Sequence, residues 1–210
     1  MLSYLFSNPL MFIYYLIALL LAITIHEFSH ALAADYLGDP TPRLQGRLSL
    51  NPKSHIDNFG LLFLLFFGFG WGKPVEFDPF NLKNPQKDAA IISFAGPTSN
   101  LILALLLSIL LKLFIFFKLN FLTSIGYIFF PPLIQVNVVL AIFNLIPIHP
   151  LDGFKIVGGI LPKEKAQEWY SLERYSIFFL IMLLFPINGK SMIDTFISPI
   201  ISFIIKILIG

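Results

Sequence analysis

The chain contains no cysteine among its 210 residues, which excludes a disulfide framework and any thiolate-held zinc. A metal, if one is bound, has to be held by His, Asp or Glu. Charge is also scarce. Asp, Glu, Lys and Arg make up 12 % of the chain, roughly half the share of a soluble domain. The net charge is only +2, with basic residues scattered rather than clustered, so a nucleic-acid surface is not expected. What is abundant is apolar: 57 % of residues are hydrophobic and the mean hydropathy is +0.82, the composition of an integral membrane protein. The first apolar run lacks a basic n-region and a small-residue cleavage site, so it does not read as a removable signal peptide. No internal repeat or low-complexity linker is evident.

Within this apolar background the few ionisable residues stand out. Between Met1 and Ala34 the only charged residue is Glu27, inside the stretch Ile23 to Leu32 (ITIHEFSHAL). If that stretch is helical, His26 and His30 stand at i and i+4 on one face, where two imidazoles can bind one zinc ion. Glu27 then lies beside the metal, placed to take a proton from the attacking water. The five-residue pattern is common by chance. Its setting gives it weight, because ionisable groups in hydrocarbon are costly without a partner or a task.

Hydropathy divides the chain into an expected all-α polytopic membrane protein with about five spanning helices, one re-entrant segment and a small membrane-associated β element. Leu10 to Ala34 is long enough to span and is expected to end near Gly38, Asp39 and Pro40. Arg43 to Leu50 alternates like a short strand, and Lys73 to Phe77 is strand-like. Asn58 to Trp71 is too short to span and reads as re-entrant. Ala89 to Phe117 is the next span, interrupted at Ala95 to Asn100 (AGPTSN). Pro131-Pro132 and Pro147 bracket another. Lys163 to Tyr170 reads as a short helix, and Tyr175 to Phe185 and Thr195 to Ile209 as two further spans around a turn at Pro186 to Gly189. On this division Arg43, Arg47, Lys53, Lys73, Lys83 and Lys87 share a side with Lys155, Lys163, Lys165, Arg174 and Lys206, opposite Lys112, Lys118 and Lys190. Basic residues gather in the cytosol, so the N-terminus is expected outside, with the C-terminus and the histidine end of the first helix cytosolic.

Two histidines do not complete a catalytic zinc site, which usually has three protein ligands. The strongest third candidate is Asp152 in Asn144 to Gly153 (NLIPIHPLDG), just past a charge-free apolar stretch on the same side as the histidines. Pro147 and Pro150 forbid regular helix there and free the backbone to aim the carboxylate inward.

Four segments in order, His26-Glu27-Phe28-Ser29-His30, Asn51 to Asp57 (NPKSHID), Gly96 to Asn100 (GPTSN) and NLIP with PLDG ending at Gly153, resemble the site-2 protease family of intramembrane zinc metalloproteases. The resemblance covers roughly residues 20 to 155. It implies one Zn²⁺ per chain, ligands at His26, His30 and Asp152, Glu27 as general base, and single-span membrane proteins as substrates. Residues 1–210 are then a single membrane protease domain with a core at about 10–155 and C-terminal helices at 175–209, a minimal form with no room for an added peptide-binding (PDZ) or nucleotide-binding (CBS) module. The absence of targeting peptides points to a prokaryotic cell membrane. One departure is His149, where the family often has another residue such as proline; it is either a partner near the metal or an accidental neighbour, the latter favoured.

Other residues keep two readings. Asn144 either donates to the developing oxyanion or the substrate strand, or ties down a proline-broken helix end. Gly96 is expected to serve helix packing, while Asn100 either bonds across that contact or touches the active site. His55 and Asp57 either cap a loop or lie near substrate. The rival functions are a zinc-binding membrane transporter or sensor without proteolytic activity and a catalytically dead scaffold. The transporter or sensor reading gives no reason for Glu27 to follow His26 directly.

Overall fold

A computed structural model describes residues 6–67, 70–186 and 189–210. Among the described residues, three helices are long and apolar enough to cross a bilayer: α1 (Pro9–Tyr36), α4 (Pro85–Phe116) and α5 (Asn120–Asn144). Between and after them lie α2 (Thr41–Leu44), α3 (Asn58–Phe67), α6 (Asp152–Ile160), α7 (Lys163–Tyr170), α8 (Ser176–Leu184) and α9 (Ser198–Ile209).

The start of α1 follows from Asn8, whose Oδ1 accepts the N–H of Met11 at 3.2 Å, and from Pro9 in the first turn. It ends in a two-bond glycine cap: Gly38, at φ +107°, donates to Asp35 C=O and Asp39 donates to Ala34 C=O. Along α1 the residues facing its neighbours are small; Ala18, Ala22, Ala31 and Ala34 are fully buried. Small residues let helices approach closely where lipid removes any hydrophobic drive to associate. The centre of the bundle is α4, which packs on α1, α5 and α6. Ala104, Ile134, Val138 and Leu208 form a cluster joining α4, α5 and α9, and Ser108 Oγ pins α9 by donating to Leu208 C=O at 2.6 Å.

Several expectations need correction. Arg43 to Leu50 is not a strand: α2 and the turn that follows occupy it, because Pro42 begins a helical turn and Arg47 points inward instead of alternating outward. Lys73 to Phe77 forms no strand either. Among the described residues there is no sheet, only an isolated antiparallel bridge between Ile56 and Gly72. AGPTSN does not interrupt its helix. Pro97 is buried within an unbroken α4, and Ser99 Oγ donates back to Gly96 C=O at 2.7 Å. Likewise Pro131 and Pro132 lie inside α5 instead of bounding it, as membrane-spanning helices tolerate. The C-terminal segments form α8, of 9 residues, and α9, of 12, which continues a π-helical turn at Ile193–Ile197; neither α-helix alone reaches the ~20 residues typical of a span. Of the turn proposed between them, residues 187 and 188 lie outside the described residues.

The bridge between Ile56 and Gly72 joins both ends of the segment containing α3. Lys73 N–H also donates to His55 C=O at 2.8 Å. The segment therefore leaves and returns at one level, as a re-entrant element must.

Candidate metal centre

His26 and His30 lie one turn apart on α1, both buried, with ring centroids 4.6 Å apart and planes nearly perpendicular. Asp152, the first residue of α6, brings its Oδ2 to 3.1 Å from His26 Nε2 and 3.3 Å from His30 Nε2. One ligand atom from each residue falls within 4.8 Å of the others. The donor set, two imidazoles and a carboxylate, suits a zinc ion with one position left for water.

Each imidazole is turned from behind. His26 Nδ1 is 2.7 Å from Asn100 Oδ1, and His30 Nδ1 is 2.7 Å from the C=O of Ile92. A carbonyl can only accept, so both rings carry a proton on Nδ1, and in the neutral ring Nε2 is the lone pair that faces Asp152. Asp152 Oδ2 is buried without a hydrogen-bond partner. With both rings neutral, three electron-pair donors converge, and a cation satisfies that arrangement.

Glycines make the approach possible. A Cβ on Gly96 would lie 2.4 Å from His30 Nε2 and 2.8 Å from His26 Cε1, so α4 touches α1 at the histidines themselves. The reading of Gly96 as a packing residue holds, with the imidazoles as what it packs on. A Cβ on Gly153 would lie 2.3 Å from Leu145 C=O, so the turn that aims Asp152 requires glycine.

Glu27 lies in the same cleft, a cavity of about 310 Å³. Its Oε2 accepts the N–H of Val75 at 2.9 Å and lies 3.9 Å from Arg47 Nη2. Arg47 is only 3 % exposed, and it donates to the main-chain carbonyls of Ser54 and Lys73. Burial lowers its pKa, opposed by the charges of Glu27 and Glu76.

The remaining predicted residues separate. Asn144 lines the cleft, and its Nδ2 donates to Leu140 C=O in its own helix at 2.9 Å. Asn100 touches His26 directly. His55 is fully buried and does not line the cleft; its Nε2 pairs with Ser49 C=O at 2.6 Å. Burial first, and the Arg47 charge, hold its pKa below the usual imidazole range despite that carbonyl. Asp57 caps α3, its Oδ1 accepting from Gly60 N–H at 2.7 Å. His149 faces Glu173 at 3.3 Å, not the metal ligands. Arg47, Val75 and Asn137 were not singled out from the sequence. Only Asn137, an amide in a charge-free apolar helix, carried a signal there.

Comparison with known proteins shows the family. The sequence profile of peptidase family M50 matches residues 14–129 and 118–185. A Bacillus subtilis protein named "Putative zinc metalloprotease YwhC" is 39 % identical over 180 residues, covering 84 % of this chain and 82 % of its own. Proteins named "Putative zinc metalloprotease Rip2" are 29 % identical in Mycobacterium tuberculosis, over 78 % of this chain and 63 % of theirs, and 29 % identical in Mycolicibacterium smegmatis, over 79 % and 64 %. The chain thus spans somewhat under two thirds of these Rip2 proteins. No solved structure matches it at a significant level.

Proposed function

The chain belongs to peptidase family M50, the site-2 protease type of zinc metalloprotease, and on that premise we propose that it hydrolyses peptide bonds inside the transmembrane segments of single-span membrane proteins. The observation that carries this reading is the convergence of His26, His30 and Asp152 beside Glu27 in one cleft between helices long enough to span a bilayer.

A zinc ion held by these three residues supplies Lewis acidity to the scissile carbonyl and makes water a nucleophile near neutral pH. His26, His30 and Asp152 hold it, and the Nδ1 partners of the rings keep both Nε2 lone pairs aimed at it. Glu27 is the general base. The Val75 N–H fixes its Oε2, which leaves the carboxylate oriented to take a proton from water and return it to the leaving amine. Asn144, on the cleft wall, has a second amide hydrogen available to the substrate carbonyl.

A spanning helix hides its carbonyls in its own hydrogen bonds, so the substrate has to unwind before attack. Gly72, Pro74, Val75 and Phe77 run along the cleft, and this extended backbone is the place where an unwound segment would pair. The orientation follows the basic residues. Arg43, Lys53, Lys73 and Lys87 flank the histidine end of the bundle, and Lys112 and Lys118 the other, which supports a cytosolic site and an outside N-terminus. The C-terminus, expected on the cytosolic side with Lys206, instead lies at the Lys112 end, where Lys112 Nζ donates to Ile207 C=O at 3.1 Å. The bacterial relatives accord with a prokaryotic cell membrane.

The test is to purify wild type and Glu27→Gln, measure zinc, and follow cleavage of a panel of single-span substrates. Glu27→Gln is expected to keep its zinc and lose at least about 10²-fold in cleavage. Undiminished cleavage would overturn the assignment, and metal flux without any cleavage in wild type would favour a transporter.

A further inference from the structure

Behind His26 a chain of amides crosses three helices. Asn100 Oδ1 is 2.7 Å from His26 Nδ1, while Asn100 Nδ2 is 3.0 Å from Ala22 C=O and 2.7 Å from Asn137 Oδ1. Asn137 Nδ2 ends the chain 2.8 Å from Leu133 C=O. Asn100 and Asn137 are both 0 % exposed. The direction of each bond follows from its far end. Leu133 C=O can only accept, so the end of Asn137 that meets it is the nitrogen and its oxygen turns to Asn100. Asn100 then faces two acceptors, Asn137 Oδ1 and Ala22 C=O, with the same end. That end must be nitrogen, with both hydrogens engaged. Its oxygen remains for His26, which has to donate from Nδ1.

We propose that Asn137, acting through Asn100, is a positioning residue that locks His26 in the Nδ1–H tautomer and so presents its Nε2 lone pair to the metal. This rests on His26 being a ligand. A single amide could have tied α4 to α5 without reaching the histidine, and the alternative role for Asn137 is adhesion between those helices alone. The relay differs from adhesion in its consequence: together with Ala22 C=O it fixes which end of Asn100 meets His26, and so which ring nitrogen carries the proton. Partners of this kind behind a metal-bound histidine typically alter metal affinity by roughly 10- to 100-fold when removed.

The experiment uses the full chain in detergent micelles, labelled with ¹⁵N-histidine, to read the His26 tautomer in the metal-free protein and, separately, zinc affinity by chelator competition. Wild type is expected to show the Nδ1–H form. Asn137→Ala should give a mixture of tautomers and bind zinc roughly tenfold or more weakly. Asn137→Asp, buried as the neutral acid with its hydroxyl donating to Leu133 C=O and its carbonyl oxygen accepting from Asn100, should return both readings toward wild type. An unchanged tautomer or an unchanged zinc affinity in Asn137→Ala overturns the proposal and leaves Asn137 as a packing residue. Should Asn137→Ala prove too unstable to purify, Asn137→Leu restores the lost volume without the acceptor and is read the same way. Failure of the underlying reading is separately visible: wild type would then bind no zinc through His26, whatever its tautomer.

Discussion

His26 and His30 enter the centre from within a 28-residue helix, whereas Asp152 enters it as the first residue of a 9-residue one. The histidine half is held by side-chain and main-chain hydrogen bonds from α4, each ring gripped at Nδ1 by Asn100 or by Ile92 C=O. The carboxylate half has no such grip at Oδ2. It is aimed by backbone alone, through a turn so tight that residue 153 admits no side chain. One half is oriented by hydrogen bonds that fix ring angle and tautomer. The other is oriented by chain geometry and completed by the cation itself. The difference shows where each half is vulnerable: the first to loss of partners, the second to small changes of shape.

The largest expected effect comes from deleting a ligand on either side. His26→Ala and Asp152→Ala should each abolish stoichiometric zinc binding, since two protein ligands seldom retain the ion; full zinc content in Asp152→Ala would show that the carboxylate is not part of the centre. Next come the two glycines, one for each half. In Gly153→Ala the new methyl meets main-chain oxygen at 2.3 Å, and in Gly96→Ala it meets an imidazole ring at 2.4 Å. Backbone yields less readily than a ring, so Gly153→Ala is expected to lose more zinc affinity, with Gly96→Ala lower by roughly 10- to 100-fold. The reverse order, by chelator competition, would mean that the hydrogen-bonded half is the less tolerant one. Arg47→Met probes a third support, that of Glu27. It strips donors from the carbonyls of Ser54 and Lys73, at a cost of about 1–3 kcal/mol for each buried acceptor left unpaired. Cleavage should fall while zinc content stays full.

How much of this was readable beforehand depended on the kind of residue. That His26, His30 and Asp152 would meet, with Glu27 in the same cleft, was legible because ionisable groups in an apolar chain have few bland explanations. The three long helices were legible by length. The strand at Arg43 to Leu50 was misread because alternation alone cannot say that Arg47 turns inward to bind two carbonyls; that depends on chain 7 and 26 residues away. Pro97, Pro131 and Pro132 were read as breaks because proline ends helices in water, but a bundle can absorb the freed groups. For His55 loop support and a place near substrate were both open, and its burial against Ser49 C=O favours the first. Asn137 and Val75 act through contacts with distant parts of the chain, which no local pattern encodes.

The smallest effect concerns the cap that follows the histidine helix, where Asp39 joins the end of α1 to the loop before α4. Asp39 is fully buried. Its Oδ1 accepts from Thr41 N–H, Thr41 Oγ1 and Asn81 Nδ2, and its Oδ2 from Asp78 N–H. Burial alone would raise its pKa, but these hydrogen bonds outweigh it and hold the carboxyl below the ordinary 3.8. A carboxyl lowered on folding stabilises the folded state above its unfolded pKa and loses that contribution as pH falls through the folded one. Asp39→Asn should therefore cost about 1–3 kcal/mol near neutral pH, where it leaves a buried donor facing an amide nitrogen. The gap between variant and wild type in thermal unfolding should narrow as pH drops below about 3.8. Zinc affinity should change little, because the cap lies more than two turns beyond His30. A gap that is constant with pH would mean that the loop is held by its shape and not by the charge on Asp39.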